Sequence, residues 1–191
     1  MFTRRAFSAT LATCLAGGAF ATPARAERRL ADDGLYQFDW YLESQLNLPA
    51  DHAAALAAGK RLAILIGQRG CPYCKYMAER HLEDEATVSY IRENFEVVNL
   101  NLFGAREVTD FDGRAMSERQ FGRAYGVRLT PSILFLPERA DGLAARPPAD
   151  RPSIRMPGLM KQPEFLGMFR YVREKGYESA SFKQWLTTQQ G

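Results

Sequence analysis

Two cysteines separated by two residues are the side chains of this sequence best suited to chemistry. Cys71 and Cys74 follow an apolar run over residues 62–66 and a turn that contains glycine, and they open a segment with helical spacing. Two cysteines in the first turn of a helix can close a disulfide without unfolding the chain, so the pair can cycle between dithiol and disulfide. The spacing and its context therefore indicate a redox-active dithiol.

The same spacing also occurs in zinc sites and in structural disulfides. A tetrahedral zinc site needs four ligands, but the remaining candidates are Cys14 and two histidines, His52 and His81, which are far apart in sequence. A purely structural disulfide would close a very short loop, which constrains the unfolded chain less than a long loop does. We therefore favour the redox interpretation, with no bound metal ion and no small-molecule cofactor.

A copper-binding role is the alternative that the histidines leave open. His81 lies seven residues after Cys74, two helical turns along, so it could share a face of the helix with the dithiol. Thiolate and imidazole are both ligands of copper and zinc in proteins. Under this hypothesis the protein is a metallochaperone that carries copper on Cys71, Cys74 and His81, and is a binding module rather than an enzyme.

The first 26 residues have the features of an export signal. Arg4 and Arg5 precede an apolar stretch over residues 9–21, and residues 24–26 include the small side chains that a signal peptidase reads. The apolar stretch is shorter than the roughly 20 residues that a membrane-spanning helix needs. The sequence therefore predicts a twin-arginine-type signal over residues 1–26 that is cleaved, and a periplasmic mature protein of residues 27–191.

Removal of this signal changes the charge of the chain. The whole sequence has 25 basic and 22 acidic residues, and the signal contains Arg4, Arg5 and Arg25 but no acidic residue. The mature chain is therefore formally neutral, and its charge gives no argument for nucleic-acid binding or for a polybasic contact with a membrane. Cleavage also removes Cys14, so in an oxidising compartment Cys71 and Cys74 can pair only with each other or with a partner's cysteine.

The mature part, about 165 residues without an internal repeat or linker, predicts one domain of alternating strands and helices. The predicted helices are 51–58, about 72–83, 87–94, one opened by Ser117 and ended by Gly126, 163–175, and a short amphipathic turn or two around Trp185. The predicted strands are 61–67, 95–102, 132–136 and 154–156. This order describes an α/β fold in which helices cover both faces of a sheet.

The sequence resembles the thioredoxin superfamily in two segments as well as in the order of its elements. Residues 71–75 (Cys-Pro-Tyr-Cys-Lys) and residues 125–135, which contain Thr130-Pro131, look like the two halves of a thioredoxin active site. The resemblance implies a central mixed β-sheet with helices on both faces and the dithiol at the N-terminus of a helix. It also implies that Pro131 is a cis-proline packed beside the dithiol.

The same resemblance implies which residues meet the substrate. The backbone of Thr130 would pair with a substrate strand, and Pro131 would shape the groove beside it. Pro72 and Tyr73, between the two cysteines, would lie against the partner's surface.

More narrowly, the chain resembles the SoxW-type thioredoxin-related proteins that sulfur-oxidising bacteria export. The features that carry this likeness are the export signal, the segment 70–74, the loop 108–113, Thr130-Pro131 and the segment 156–159. The resemblance implies a periplasmic thiol-disulfide oxidoreductase that reduces disulfides or cysteine-bound sulfur on partner proteins of sulfur oxidation. Its partners would be cysteine-containing exported proteins and a membrane thiol electron donor.

The implied mechanism is thiol-disulfide exchange. Cys71, expected to be nearer the helix N-terminus and the more exposed of the two, would attack as thiolate, and Cys74 would resolve the mixed disulfide. Arg69 and Lys75 are close enough in sequence to help stabilise the Cys71 thiolate, although both could equally be plain solvated charges.

Two positions depart from ordinary thioredoxins. Gly70 stands where they have a tryptophan before the first cysteine, and an apolar residue, about Leu65, stands where they have a buried aspartate. The sequence therefore names no proton acceptor for the dithiol.

Overall fold

The computed structural model describes residues 27–189. The predicted export signal lies outside these residues. No helix within the described range is long and apolar enough to span a membrane.

A four-stranded mixed sheet forms the centre of the molecule, and two small hairpins flank it. The strands are β1 (Arg28–Leu30), β2 (Tyr36–Phe38), β3 (Arg61–Gly67), β4 (Phe95–Asn101), β5 (Glu107–Thr109), β6 (Ala115–Ser117), β7 (Ser132–Phe135) and β8 (Ile154–Pro157). The order in the central sheet is β4-β3-β7-β8. Strand β3 is parallel to β4 and antiparallel to β7, and β7 is antiparallel to β8. The predicted mixed sheet is confirmed.

Helices cover both faces of this sheet. They are α1 (Leu48–Ala57), α2 (Pro72–Tyr76), α3 (Glu85–Asn94), α4 (Glu118–Ala124), α5 (Gln162–Arg173) and α6 (Phe182–Thr188). A π-helical turn, Met77–His81, continues α2 directly. Short 3₁₀ turns occur between β7 and β8 and between α5 and α6.

Strand β3 is buried on both faces, so a layer of helices must cover each face of the sheet. All seven of its residues are buried, as the continuous apolar run predicts. Because successive side chains of a strand point to opposite faces, Leu62 and Ile64 belong to the core that includes side chains of α1 and α4. Ala63 and Leu65 belong to the opposite core, which includes side chains of α3, α5 and α6. The strand that leads into the dithiol is therefore held on both faces.

Local signals set the ends of several elements as the sequence indicates. Ser117 caps α4 with a reciprocal pair of hydrogen bonds to Gln120, and Gly126 follows the helix at a φ of +66°. The polar loop 109–113 forms the turn of the β5–β6 hairpin. The helix predicted over about 72–83 ends instead at His81 and changes to π geometry at Met77, since a single widened turn leaves little trace in the apolar periodicity.

The N-terminal hairpin, residues 28–38, was not predicted because three-residue strands are too short to show an alternating pattern. It is tied to the carboxyl end of β4. The Asn99 side chain donates to the Tyr36 carbonyl at 3.0 Å, and the Asn101 side chain donates to the Asp33 carbonyl at 3.2 Å. Residues 33–36 therefore lie at the end of the sheet from which the dithiol loop departs, because Asn101 is paired with the last residue of β3.

Candidate active site

Cys71 is the N-cap of α2, directly after the loop that follows β3. Its backbone is extended, and its Sγ accepts a hydrogen bond from the Cys74 N–H at 3.0 Å. Gly70 has a φ of +71°, a conformation that favours glycine, and Pro72 occupies the first helical position, where a missing N–H leaves no bond unmade. The local sequence thus places the first sulfur against a backbone N–H donor.

The loop before β7 brings Thr130-Pro131 against this sulfur. The Thr130 hydroxyl lies 3.4 Å from Cys71 Sγ and can donate to it, and Sγ lies 3.5 Å from the Thr130 carbonyl, to which the thiol can donate. The Thr130–Pro131 peptide bond is cis, as the family resemblance implies. Two segments about 60 residues apart therefore meet at one sulfur atom.

The expectation that Cys71 is the more exposed cysteine is wrong, because Thr130 covers its sulfur. Both cysteines are only 6% exposed. They differ instead in their surroundings: Cys71 Sγ accepts from two donors, whereas burial, together with a smaller contribution from the hydrogen bond with Cys71, raises the pKa of Cys74 to about 12. At neutral pH Cys74 is therefore protonated, which leaves Cys71 as the nucleophile.

Exposed apolar side chains surround the two cysteines. Tyr73 is 61% exposed, Tyr76 is 50% and Leu129, next to Thr130, is 58%. Pro72 is exposed as well. Such side chains suit contact with a partner protein, and the substrate-binding roles of Pro72, Tyr73, Thr130 and Pro131 stay predictions.

The two cations near the dithiol are engaged elsewhere. The Arg69 guanidinium donates to the Asp32 carbonyl in the turn of the N-terminal hairpin. Lys75 is 59% exposed and lies 3.9 Å from Glu79, one helical turn along. Their contacts fit the solvated or structural interpretation better than stabilisation of the Cys71 thiolate.

His81 is a core residue and does not join the dithiol. It is 1% exposed, its Nε2 lies 2.9 Å from the Met160 carbonyl, and its ring stacks on Phe165 with centroids 4.8 Å apart. Burial lowers the pKa of His81, so the ring is neutral near pH 7. Over residues 27–189, no three His, Cys, Asp or Glu side chains form a group that could hold a metal ion. The copper-carrier hypothesis on Cys71, Cys74 and His81 is therefore wrong.

The residues packed around Cys74 are mainly apolar, as the leucine at position 65 indicates. Leu65 is buried, and a small cavity beside it is lined by Cys74, Tyr41 and Asn99, among others. Tyr41 is buried in the core and lines this cavity with Cys74, a neighbourhood that sequence reasoning missed because the two residues lie thirty positions apart.

A dithiol at the start of a helix, facing a cis-proline loop at the end of a mixed sheet, defines a protein of the thioredoxin class. The chain belongs to the thioredoxin-like domain family, whose model matches residues 48–173. The thioredoxin fold predicted from the sequence is thereby confirmed, and it is consistent with thiol-disulfide oxidoreductase chemistry.

Solved structures agree on the fold. A thioredoxin-fold protein from Helicobacter pylori is 21% identical, with a TM-score of 0.51 over 68% of this chain and 79% of its own. A thioredoxin from Thermus thermophilus is 25% identical, with a TM-score of 0.52 over 68% of this chain and 86% of its own. No curated protein matches the sequence.

Proposed function

We propose that this protein is a thiol-disulfide oxidoreductase that reduces disulfides on partner proteins. The observation that carries the proposal is the asymmetry of the dithiol: the Cys74 N–H and the Thr130 hydroxyl can both donate to Cys71 Sγ, whereas the pKa of Cys74 is raised so that its thiol stays protonated at neutral pH. Cys71 thus attacks the partner disulfide, and Cys74 resolves the mixed disulfide afterwards.

The reaction proceeds in two exchanges. The Cys71 thiolate attacks one sulfur of the partner disulfide, a new S–S bond forms, and the other partner sulfur leaves with the electron pair. Cys74 then attacks Cys71 Sγ, loses its proton, and releases the second partner sulfur as thiolate. The partner gains two electrons, and the protein ends with a Cys71–Cys74 disulfide that an external thiol donor must reduce.

Reduction is favoured over oxidation by the modest set of groups around Cys71. A strongly oxidising dithiol needs a reduced form that is well stabilised. Here Cys71 Sγ accepts one backbone N–H and one hydroxyl, and the nearby Arg69 and Lys75 are paired with other groups. The site therefore offers Cys71 no adjacent free cation from Arg69 or Lys75, the kind of group that stabilises the reduced form of strongly oxidising dithiols.

The redox potential of the purified protein tests this proposal. We expect equilibration against glutathione or dithiothreitol buffers to give an intramolecular disulfide with a potential near the thioredoxin end, about −270 mV. Mass spectrometry after alkylation of free thiols measures the two forms. A potential near −120 mV would reverse the proposed direction of electron flow, and failure of Cys71 and Cys74 to form a disulfide would remove the redox function altogether.

We also propose that the protein acts in the periplasm as a SoxW-like thioredoxin. Its substrates would be cysteine-containing exported proteins of sulfur oxidation, and a membrane thiol donor would reduce its disulfide again. The paired arginines and apolar stretch of residues 1–26 support export, and the exposed apolar residues around the dithiol suit a protein partner better than a small thiol. No cofactor is required, because the two sulfurs hold both electrons.

Replacement of Arg4 and Arg5 together by lysine tests the export step. We expect the variant to accumulate as precursor in the cytoplasm, whereas the unchanged protein is found in the periplasm without its first 26 residues, because the arginine pair is the part of the signal that the exporter reads. Cell fractionation and intact-mass measurement check this. Equal export of the two forms would contradict the twin-arginine assignment.

A further inference from the structure

The loop before β7 leaves a backbone amide without a partner beside the dithiol. The Leu129 carbonyl accepts a hydrogen bond from the Ser132 hydroxyl at 2.7 Å, and the Pro131 carbonyl accepts one from the backbone that follows β8, also at 2.7 Å. The Thr130 N–H, in contrast, has no hydrogen-bond partner among residues 27–189. Because a backbone N–H that the fold leaves unpaired bonds to water or to a ligand, this donor is available to a substrate.

The Ser132 side chain fixes the direction in which this donor points. Ser132 is the first residue of β7 and is 5% exposed, and its strand pairs with β3 on one side and with β8 on the other. The peptide unit between Leu129 and Thr130 is planar and trans, so its carbonyl and its N–H point in opposite directions. The hydrogen bond from Ser132 to the Leu129 carbonyl therefore directs the Thr130 N–H away from the Ser132 side chain.

The unpaired donor belongs to the residue that contacts the attacking sulfur. The Thr130 hydroxyl lies 3.4 Å from Cys71 Sγ, and the Thr130 carbonyl lies 3.5 Å from it. A partner chain that is bonded to Cys71 must therefore pass close to Thr130. An extended peptide binds to free backbone groups through its own carbonyls and N–H groups, and the Leu129 side chain, 58% exposed, is there to contact it.

We propose that Ser132 is a positioning residue, whose hydroxyl holds the peptide unit of Leu129 and Thr130 so that the Thr130 N–H donates to a backbone carbonyl of the partner. The inference rests on the proposed function and deepens it. It defines the preferred substrate as a disulfide carried on an extended peptide segment, in contrast to a small-molecule disulfide. Ser132 acts through Thr130, which is the residue that meets the substrate.

Two chromogenic disulfides with the same leaving group test this role. In one, thionitrobenzoate is joined to a hexapeptide with a single cysteine, and in the other it is joined to mercaptoethanol. With either compound, the Cys71 thiolate forms a bond to the sulfur of the peptide or of mercaptoethanol, and thionitrobenzoate leaves with the electron pair as a coloured thiolate. Stopped-flow absorbance gives both second-order rate constants, and their ratio, hexapeptide over mercaptoethanol, isolates the contribution of the peptide.

Ser132→Ala is expected to lower this ratio by about fivefold, the usual effect of losing one hydrogen bond between neutral groups. Ser132→Thr keeps a hydroxyl and suits a strand, so it should restore the ratio. A merely structural role would slow the reactions with both compounds alike and would not move the ratio. The proposal is therefore overturned if Ser132→Ala and the unchanged protein give the same ratio.

Ser179→Ala is the matched control. The Ser179 hydroxyl also donates to the carbonyl three residues earlier, that of Gly176, at 3.1 Å, but it lies in the turn after α5. This variant should keep the ratio of the unchanged protein, and a fall as large as that in Ser132→Ala would overturn the specific role of Ser132. If the unchanged protein released no thionitrobenzoate from either compound, the proposed function would be overturned instead.

Discussion

Cys71→Ser is expected to lower disulfide reduction to the uncatalysed background, a loss of at least about a thousandfold. A serine hydroxyl stays protonated at neutral pH, so it cannot replace the thiolate that attacks the partner disulfide. The remaining thiol, Cys74, is buried and its pKa is raised to about 12, which leaves it almost entirely protonated. Insulin reduction with dithiothreitol as electron source, followed by turbidity, measures the loss.

Cys74→Ser is the matched comparison, because it makes the same substitution at the other cysteine of the pair. This variant should still make the first bond and then stop, so it should accumulate as a mixed disulfide on Cys71 that non-reducing electrophoresis detects. The same experiment in cell extract tests for a partner protein. If Cys71→Ser accumulated mixed disulfides and Cys74→Ser did not, the order of the two cysteines would be reversed.

The second large effect concerns stability and arises at a buried ion pair. Arg151→Met is expected to lower the free energy of unfolding by about 3–5 kcal/mol, because it leaves a buried carboxylate without its cation. The Arg151 guanidinium lies 2.5 Å from Asp110, and the side chains of these residues are 1% and 0% exposed. Arg151 also pairs with Asp112 at 3.0 Å and donates to the Leu143 carbonyl at 2.9 Å.

Arg139→Met removes an equivalent charge from the surface and serves as the control. Arg139 pairs with Asp141 at 2.5 Å, but the two side chains are 79% and 74% exposed, so water replaces the lost partner. We expect no measurable change in the urea midpoint, because ion pairs between exposed side chains contribute little to stability. Urea unfolding of both variants measures the difference, and similar losses in the two would show that burial does not govern these ion pairs.

The sequence predicts the fold of this protein from features that are local. The apolar run of β3, the cap at Ser117 and the break at Gly126 each depend on neighbouring residues, so a local pattern is enough to predict them. Cys71 and Cys74 are recognisable for the same reason. Their meeting with Thr130 is indicated only by resemblance, since it joins segments about 60 residues apart.

Burial and distant contacts are what the sequence leaves open. Helical spacing places His81 two turns beyond Cys74, but the change to π geometry and the packing of α5 decide that it faces Met160 and Phe165. The covering of Cys71 by Thr130 and the approach of Tyr41 to Cys74 likewise depend on how separate elements pack, which no local pattern records.

The position of the N-terminal hairpin means that the working unit of this protein is longer than the part its family shares. The family match begins at residue 48, yet Phe38 and Tyr41 are buried in the same core as Phe169, and Leu35 and Tyr36 wall the space behind Cys74. Beyond the other end of the match, at residue 173, Trp185 packs into that core as well. A chain trimmed to the family boundaries would therefore keep both cysteines but would leave Cys74 more open to water, because the residues before position 48 that line the space behind it would be gone.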